Sequence, residues 1–369
     1  MRIGGRVVTP RGVIEDGYVE VDGETIAAVG EGGPADRVPD GHWLLPGFVD
    51  IHTHGGGGHT FTTGDADSAR GAAAFHLAHG TTTLLASLVS SPFALMRRAT
   101  AAFAPLVAEG VLAGLHYEGP YLSELRCGAQ NPEHLRDASL DELTELIELG
   151  GGAVRMVTIA PERTGALPAI EFLVARGVVA AVGHTDATYD QTLAAVAAGA
   201  SVGTHVFNGM RPPHHREPGP VFALLGAAGV VCELVADGIH LHPGTIAFAA
   251  SVTGPDRAAL ITDAMAAAGM ADGEYELGGQ AVVVADGVAR LARDGAIAGS
   301  TLTMDAALRQ AVAAGVSLVD AARMAATTPA RATGLGHRVG ALVAGLRADV
   351  VHLDERLRVV RIMRAGRWT

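Results

Sequence analysis

Residues 48–54 read FVDIHTH, an apolar, strand-forming run that ends in two histidines spaced two apart. Similar short runs recur seven more times before residue 265, and each precedes an Ala-rich stretch with helical spacing. Strict alternation of strands and helices is typical of repeated βα units with parallel strands. The other strand candidates are TTTLLASLV (81–89), VLAGLHYE (111–118), AVRMVTIA (153–160), VVAAVGH (178–184), SVGTHVF (201–207), VVCELVAD (230–237) and AALITDA (258–264).

Eight such units predict an α/β fold, a closed (β/α)8 barrel of the TIM type. An open doubly wound sheet is disfavoured because no GxGxxG follows the first strand. The two ends of the chain differ, since residues 1–45 and 339–369 consist of short alternating segments joined by Gly and Asp-Gly turns. We therefore predict a small β-sandwich domain formed by 1–45 plus 339–369, a barrel over 46–338, and a hairpin insertion over 272–299 in the last barrel unit.

Charge and hydropathy limit the partners of the chain. The net charge of −12 and the lack of a basic run argue against nucleic acid. Mean hydropathy is +0.28, yet every apolar run is interrupted before the roughly 18 residues that a bilayer span requires. The N-terminal MRIGGRVVTPRGV lacks the apolar core of a secretion signal. We expect a cytoplasmic protein that binds a small molecule and no membrane.

All 27 basic residues are arginines, so the chain contains no lysine. Schiff-base chemistry, a Walker-type phosphate loop and a carboxylated-lysine metal bridge are thereby excluded. The two cysteines, Cys127 and Cys232, are too few for a disulfide framework. Cys232 lies in an apolar run and is expected in the core, whereas Cys127 lies in a polar loop.

Histidines and carboxylates occur at the ends of the predicted strands. Side chains two apart in a strand point the same way, which makes the two histidines of DIHTH a chelating pair. Barrel enzymes draw their active residues from the C-terminal ends of several strands, and imidazole with carboxylate suits zinc or ferrous iron. Any single position could instead be a solvated loop residue or a helix cap. The candidate metal ligands are His52, His54, Glu118, His184, His205 and Asp263.

Nine short strings resemble the N-acetylglucosamine-6-phosphate deacetylase family of the amidohydrolase superfamily: PGFVDIHTHG, HYEGPYLS, GAQNPEHL, VGHTDA, THVFNGM, HHREPG, ADGIH, ITDAM and AGS. The resemblance implies metal-dependent removal of the acetyl group, giving glucosamine-6-phosphate and acetate. It implies that Asp263 is the catalytic acid and base and that the main ion is held by Glu118, His184 and His205. His52 and His54 would hold a second ion, so one or two ions are expected, zinc in first place and iron as the alternative.

The resemblance also implies a set of substrate contacts. Arg216 and His240 match phosphate-contacting positions, although on sequence alone each could be an ordinary loop residue. The family usually has His in place of Gln130 and Ala in place of Gly209, which leaves the preferred sugar open. The further substrate-binding candidates are Ala129, Gln130, Asn208, Gly209, Asp237, Gly238, Ile239, Ile297, Ala298 and Gly299.

Two other functions remain open at this point. Another amidohydrolase activity, such as N-acyl amino acid deacylation or opening of a cyclic amide, would need a different pocket in place of Arg216 and His240. A non-catalytic metal-binding barrel would have no use for Asp263, since a structural site closes its coordination sphere with protein ligands. Family resemblance further suggests a homodimer, whose phosphate site borrows groups across the interface.

Overall fold

The first 46 residues form five strands of one sheet. They are β1 (Arg2–Thr9), β2 (Gly12–Asp22), β3 (Thr25–Glu31), β4 (Asp36–Arg37) and β5 (Trp43–Pro46). In the computed structural model, which describes residues 1–369, β1 pairs antiparallel with β2 and parallel with β4 and β5, and β2 pairs antiparallel with β3.

The predicted barrel follows, and all eight strand candidates are confirmed as parallel neighbours in one sheet. Several strands are shorter than their candidates, because residues such as His205 take a left-handed backbone that ends the strand early. In chain order the elements are β6 (Phe48–Thr53), the hairpin β7 (Gly55–Gly56) and β8 (His59–Thr60), α1 (Ala66–Ala78), β9 (Thr81–Val89), α2 (Phe93–Ala108), β10 (Gly114–Glu118), α3 (Leu140–Gly150), β11 (Val154–Ile159), α4 (Ala166–Val174), β12 (Val179–Val182), α5 (Tyr189–Ala197), β13 (Val202–Gly203), α6 (Gly219–Gly226), β14 (Val231–Val235), α7 (Pro243–Thr253) and β15 (Ala258–Ile261).

The barrel is joined at its C-terminal end, between β6 and the residues after β15. The Asp263 amide donates to the His52 carbonyl at 2.9 Å, and the His54 amide donates to the Ala264 carbonyl at 2.8 Å. Deeper in the barrel the buried Asp50 carboxylate accepts from the Thr262 hydroxyl at 2.5 Å. These bonds bring the first and last strands together and place His52, His54 and Asp263 at one rim.

The insertion predicted over 272–299 is an antiparallel sheet of three strands, β16 (Gly273–Leu277), β17 (Gln280–Ala285) and β18 (Val288–Leu291). Its apolar side packs on Val89 and Met265 near the barrel rim. The chain then forms α8 (Met304–Ala313), α9 (Leu318–Ala322), a π-helical turn and α10 (Thr328–Ala332). No helix of the chain combines the length and hydropathy that crossing a bilayer requires.

The last strands return to the N-terminal sheet. They are β19 (Val350–Leu353), β20 (Val359–Arg364) and β21 (Arg367–Trp368). β19 pairs antiparallel with β5, so both termini build one eight-stranded sheet with its own core of 10 buried residues. Leu45 and Val351 of this sheet also belong to the barrel's core of 70 buried residues, which joins the two parts. The boundaries at 45/46 and 338/339 stay a prediction.

Candidate metal centre and substrate cavity

The six predicted ligands meet in one buried cluster at the C-terminal ends of five strands. They form two groups, within each of which the potential ligand atoms lie within 4.8 Å of one another. In the Glu118 group, Oε1 of Glu118 lies 2.9 Å from Nε2 of both His184 and His205. In the His52 group, His54 Nε2 lies 3.3 Å from His52 Nε2 and 3.2 Å from Asp263 Oδ1. Oε2 of Glu118 is 3.3 Å from His54 Nε2, so this carboxylate lies between the groups.

Three residues of the cluster have left-handed backbones: His184 at φ 45°, His205 at φ 27° and Asp263 at φ 50°. This region is uncommon for residues with a Cβ, and each instance costs about 1–3 kcal/mol. Such conformations persist where the surrounding fold imposes them, and they concentrate at functional sites. Here they turn the side chains that follow β12, β13 and β15 toward one point.

The hydrogen bonds of the four histidines define which ring nitrogen faces the cluster. Each Nδ1 lies 2.9–3.1 Å from an oxygen outside the cluster, so Nδ1 carries the proton and donates it. In the neutral rings, each Nε2 then presents a lone pair to the other histidines and to the two carboxylates. Acceptors crowded together in this way require a cation between them. The Nδ1 acceptors are the Glu233 carboxylate for His52, the Ser87 carbonyl for His54, the Arg126 carbonyl for His184 and the Asn208 carbonyl for His205.

The spacing and electrostatics of the cluster fit a divalent metal ion. His184 Nε2 and His205 Nε2 are 3.1 Å apart, near the roughly 3.3 Å between two tetrahedral ligands of zinc at about 2.0–2.1 Å. Burial lowers the pKa of His54, but hydrogen bonds and charge from Asp263 and Glu118 outweigh burial and raise that pKa to about 9. Burial raises the pKa of Glu118, yet His52 and His184 hold it well below its usual range. The cluster therefore attracts positive charge, and a metal ion takes the place of protons.

Metal binding at the His52 group should depend on pH at values above those at which an ordinary histidine loses its proton. An unperturbed histidine is neutral above about pH 7, whereas His54 stays protonated up to its raised pKa of about 9. An ion that binds Nε2 must displace this proton, so the apparent zinc affinity should rise roughly tenfold per pH unit from about pH 7 to about pH 9. Competition with a chelator at several pH values measures this apparent zinc affinity. An affinity that is flat over this window would contradict the assignment of His54.

A cavity of about 260 Å³ opens directly above the cluster. Two walls come from the turns after β10 and β13, and a third from the insertion, through Leu277 and Ala296. Five substrate-binding candidates do not line it. Arg216, Gly238 and Ile239 are exposed outside it, Ala298 is buried behind the wall, and Asp237 lies behind His240. The candidates that do line it are Ala129, Gln130, Asn208, Gly209, His240, Ile297 and Gly299.

The two departures from the family pattern lie beside the cluster. Gln130 is buried; its side-chain oxygen accepts from the Ser90 amide at 2.7 Å, and its nitrogen donates to Glu118 Oε2 at 2.6 Å. Gly209 has φ 60°, and a Cβ built there would lie 2.8 Å from His184 Nδ1. An alanine at this position would therefore press on His184 unless the imidazole ring shifted.

His240 faces the cavity from the turn after β14. Its Nδ1 lies 2.6 Å from Asp237 Oδ2, and its Nε2 lies 3.9 Å from Asp263 Oδ2. Burial lowers the pKa of His240, but the hydrogen bond to Asp237 and the charge of Asp263 outweigh it and raise that pKa. His240 thus presents Nε2 to the cavity beside Asp263, and the two neighbouring carboxylates favour its protonated form.

Comparisons with known proteins identify the family of the chain. The profile of the amidohydrolase family matches residues 43–369. The chain belongs to the amidohydrolase family. N-acetylglucosamine-6-phosphate deacetylase of Lysinibacillus sphaericus is 37% identical over 332 residues, which covers 89% of this chain and 85% of the relative. N-acetylgalactosamine-6-phosphate deacetylase of Escherichia coli O157:H7 is 38% identical over 367 residues, covering 98% and 97%.

A solved structure is similar to this amidohydrolase over its whole length. An aspartate-to-alanine mutant of N-acetyl-D-glucosamine-6-phosphate deacetylase from Mycobacterium smegmatis, in complex with N-acetyl-D-glucosamine-6-phosphate, superposes with a TM-score of 0.97. The two are 48% identical, and the match covers 100% of this chain and 98% of that one. The family resemblance and the barrel expected from the sequence are confirmed.

Arg216 of this amidohydrolase does not reach the cavity of its own chain. Its side chain is exposed, and its Nη1 lies 2.8 Å from His215 Nε2 in the loop between β13 and α6. The substrate-binding role predicted for Arg216 therefore stays a prediction.

Sequence reasoning missed Glu233, which supports the cluster from β14. Its Oε2 accepts from His52 Nδ1 and from the His205 amide, both at 3.1 Å, and the residue is fully buried. The one signal in the sequence is an acidic residue in the middle of the apolar run VVCELV. A buried carboxylate needs a partner, but nothing in the sequence shows that the partner is a histidine some 180 residues away.

Glu233→Gln should lower the zinc affinity of the His52 group. The zinc affinity of the Glu118 group should hardly change, because the glutamine oxygen can still accept from the His205 amide. A carboxylate behind a ligating histidine fixes its tautomer and raises its basicity, and loss of such a group costs about 10- to 100-fold in metal affinity. Zinc titration of the metal-free protein measures the zinc affinity of both groups. Glu171→Gln, an exposed change in α4, is the control and should bind as the wild type. Unchanged affinity in Glu233→Gln would limit Glu233 to a structural role.

Proposed function

We propose that the protein is a metal-dependent deacetylase that converts N-acetylglucosamine-6-phosphate into glucosamine-6-phosphate and acetate. The proposal is carried by the buried six-residue cluster beneath a small cavity. Its chemistry is that of amide hydrolysis, and the similarity to the M. smegmatis enzyme in complex with this compound suggests the substrate.

In this proposal the Glu118 group holds the main ion, and the His52 group can hold a second one. We propose zinc, since the donor set of imidazole and carboxylate suits it, with iron as the alternative. A metal ion held there would lower the pKa of a bound water toward about 7 and would polarise a carbonyl oxygen. Glu118, whose carboxylate lies between the two groups, would help to hold both ions, since a chain without lysine has no carboxylated lysine for this role.

Asp263 is the proposed acid and base. Burial raises the pKa of Asp263, but the hydrogen bond from His54 and the charge of His52 lower it, so the side chain is an ionised acceptor at neutral pH. Asp263 takes the proton of the attacking water at its carboxylate and then delivers it to the nitrogen of the amide. Delivery is required because an amine cannot leave as an anion. His240, near Asp263 Oδ2, orients the bound sugar and adds positive charge.

The phosphate is proposed to lie at the outer end of the cavity, where Arg216 supplies a planar pair of donors. Because Arg216 is exposed and outside the cavity of its own chain, we propose a homodimer in which the Arg216 loop of one subunit completes the cavity of the other. Sedimentation of the zinc-loaded protein tests this arrangement, and a strictly monomeric active enzyme would contradict it.

The galacto epimer is the second candidate substrate. The E. coli relative is named for N-acetylgalactosamine-6-phosphate, and its alignment covers 98% of this chain. In addition, Gln130 and Gly209 line the cavity at positions where the family usually has other residues. Acetate release from N-acetylglucosamine-6-phosphate, its galacto epimer, unphosphorylated N-acetylglucosamine and an N-acetyl amino acid separates the possibilities. The proposal expects the highest kcat/KM with the first, while preference for the amino acid would overturn it.

A further inference from the structure

A second cavity, of about 630 Å³, lies on the opposite face of the barrel, between the N-terminal ends of β9–β11 and the terminal sheet. Thr82 and Thr83 line it at the start of β9, whereas Val89 at the other end of the same strand lines the cavity above the metal cluster. A strand rises about 3.3 Å per residue, so the two cavities are roughly 20 Å apart. This lower cavity is a separate site.

Arginines dominate its wall. Arg347 is paired with the buried Asp349 carboxylate, and it also donates to the Thr83 hydroxyl at 2.8 Å. The four other arginines have no carboxylate within 4.0 Å, although arginines elsewhere on this acidic chain form many such pairs. The arginines of the lower cavity are Arg155, Arg338, Arg347, Arg364 and Arg367.

Two of these guanidinium groups have no carboxylate within 4.0 Å, although the charge of Asp349 acts on Arg364 from farther away. The Nε of Arg155 is buried and has no hydrogen-bond partner in the protein. Arg364 donates only to the carbonyls of Thr82 and Gly110, and burial, followed by the charge of Arg347, lowers its pKa. An unpaired donor or charge held out of water is costly, so these arginines are poised to receive an anion.

Acidic groups of the wall do not cancel this charge. Glu109 is already paired with Arg70 at 2.6 Å, and Glu24, the other acidic side chain of the wall, makes no ion pair with the arginines. The wall therefore keeps an excess of positive charge on a chain whose net charge is −12.

We propose that the lower cavity binds a small molecule that carries phosphate groups. Guanidinium forks match phosphate oxygens in pairs, and a volume of about 630 Å³ falls within the range of small-molecule sites, about 300–1,000 Å³. The ligand contacts both the barrel and the terminal sheet and therefore stabilises their packing.

The test uses the metal-loaded full-length protein and fructose 1,6-bisphosphate as the probe, with calorimetry and thermal unfolding as readouts. The probe should bind and raise the melting temperature, whereas unphosphorylated fructose should do neither. Arg338→Gln combined with Arg367→Gln should weaken binding roughly tenfold or more. Both side chains are exposed and make no hydrogen bond to the protein, so the fold is unaffected. Arg155→Gln, at a half-buried position, should have a similar effect.

Arg356→Gln is the matched control, because this exposed arginine also lacks a carboxylate partner but lies outside the cavity. Its affinity for the probe should equal that of the wild type. His240→Ala shows which cavity holds the probe, because His240 lines only the cavity above the metal cluster. This substitution should leave binding of the probe to the lower cavity unchanged. The proposal is overturned if no binding occurs at about 1 mM probe, if the Arg155 and Arg338/Arg367 variants bind as the control does, or if His240→Ala abolishes binding.

Discussion

Asp263→Asn should lower kcat about 10²- to 10⁴-fold, the usual contribution of general acid and base catalysis. The amide keeps the size of the side chain and still offers an oxygen near His54, but it cannot carry a proton from water to the leaving amine. The substrate and the ion at the Glu118 group should therefore still bind. Turnover, metal content and substrate binding are to be measured on the same preparation, with Asp141→Asn in α3 as an exposed control.

Two results would remove Asp263 from the proposed mechanism. A folded, metal-loaded Asn variant with nearly normal kcat would show that another group moves the proton. A variant with a lowered melting temperature and lost metal would show that Asp263 mainly holds the rim of the barrel, where its backbone bonds to His52. In either case the control should behave as the wild type.

Arg216→Ala should reduce kcat/KM for the phosphorylated sugar by about 2–4 kcal/mol, roughly 30- to 1,000-fold, chiefly through KM. The unphosphorylated sugar should be affected little, because it lacks the group that Arg216 is proposed to bind. Arg11→Ala, another exposed arginine without a carboxylate partner, is the matched control. Equal losses on both sugars would make Arg216 structural and remove the main physical support for a phosphate site at this loop.

The barrel and the six cluster residues could be predicted because their signals are local. Each strand is a short apolar run, as in β9, where all nine residues are buried, and each cluster residue lies at the end of such a run. Parallel strands bring these ends to one rim whatever the details of packing. The resemblance then supplied roles for Glu118 and Asp263 that spacing alone could not assign.

The remainder depends on contacts between distant parts of the chain. Glu233 supports His52 across the barrel, and nothing near either residue in the sequence shows this. Arg155, Arg338 and Arg364 are ordinary in their local sequence, and only the packing of the terminal sheet under the barrel brings them together. The position of Arg216 outside its own cavity likewise follows from the course of the loop after β13.

The most direct test of the central claim is acetate release from N-acetylglucosamine-6-phosphate by the purified protein, before and after removal of its metal and again after addition of zinc. We predict that chelation abolishes acetate release, that zinc restores it, and that one molecule of glucosamine-6-phosphate appears for each acetate. Full activity in the metal-free protein, or no acetate from the zinc-loaded protein, would contradict the proposed function.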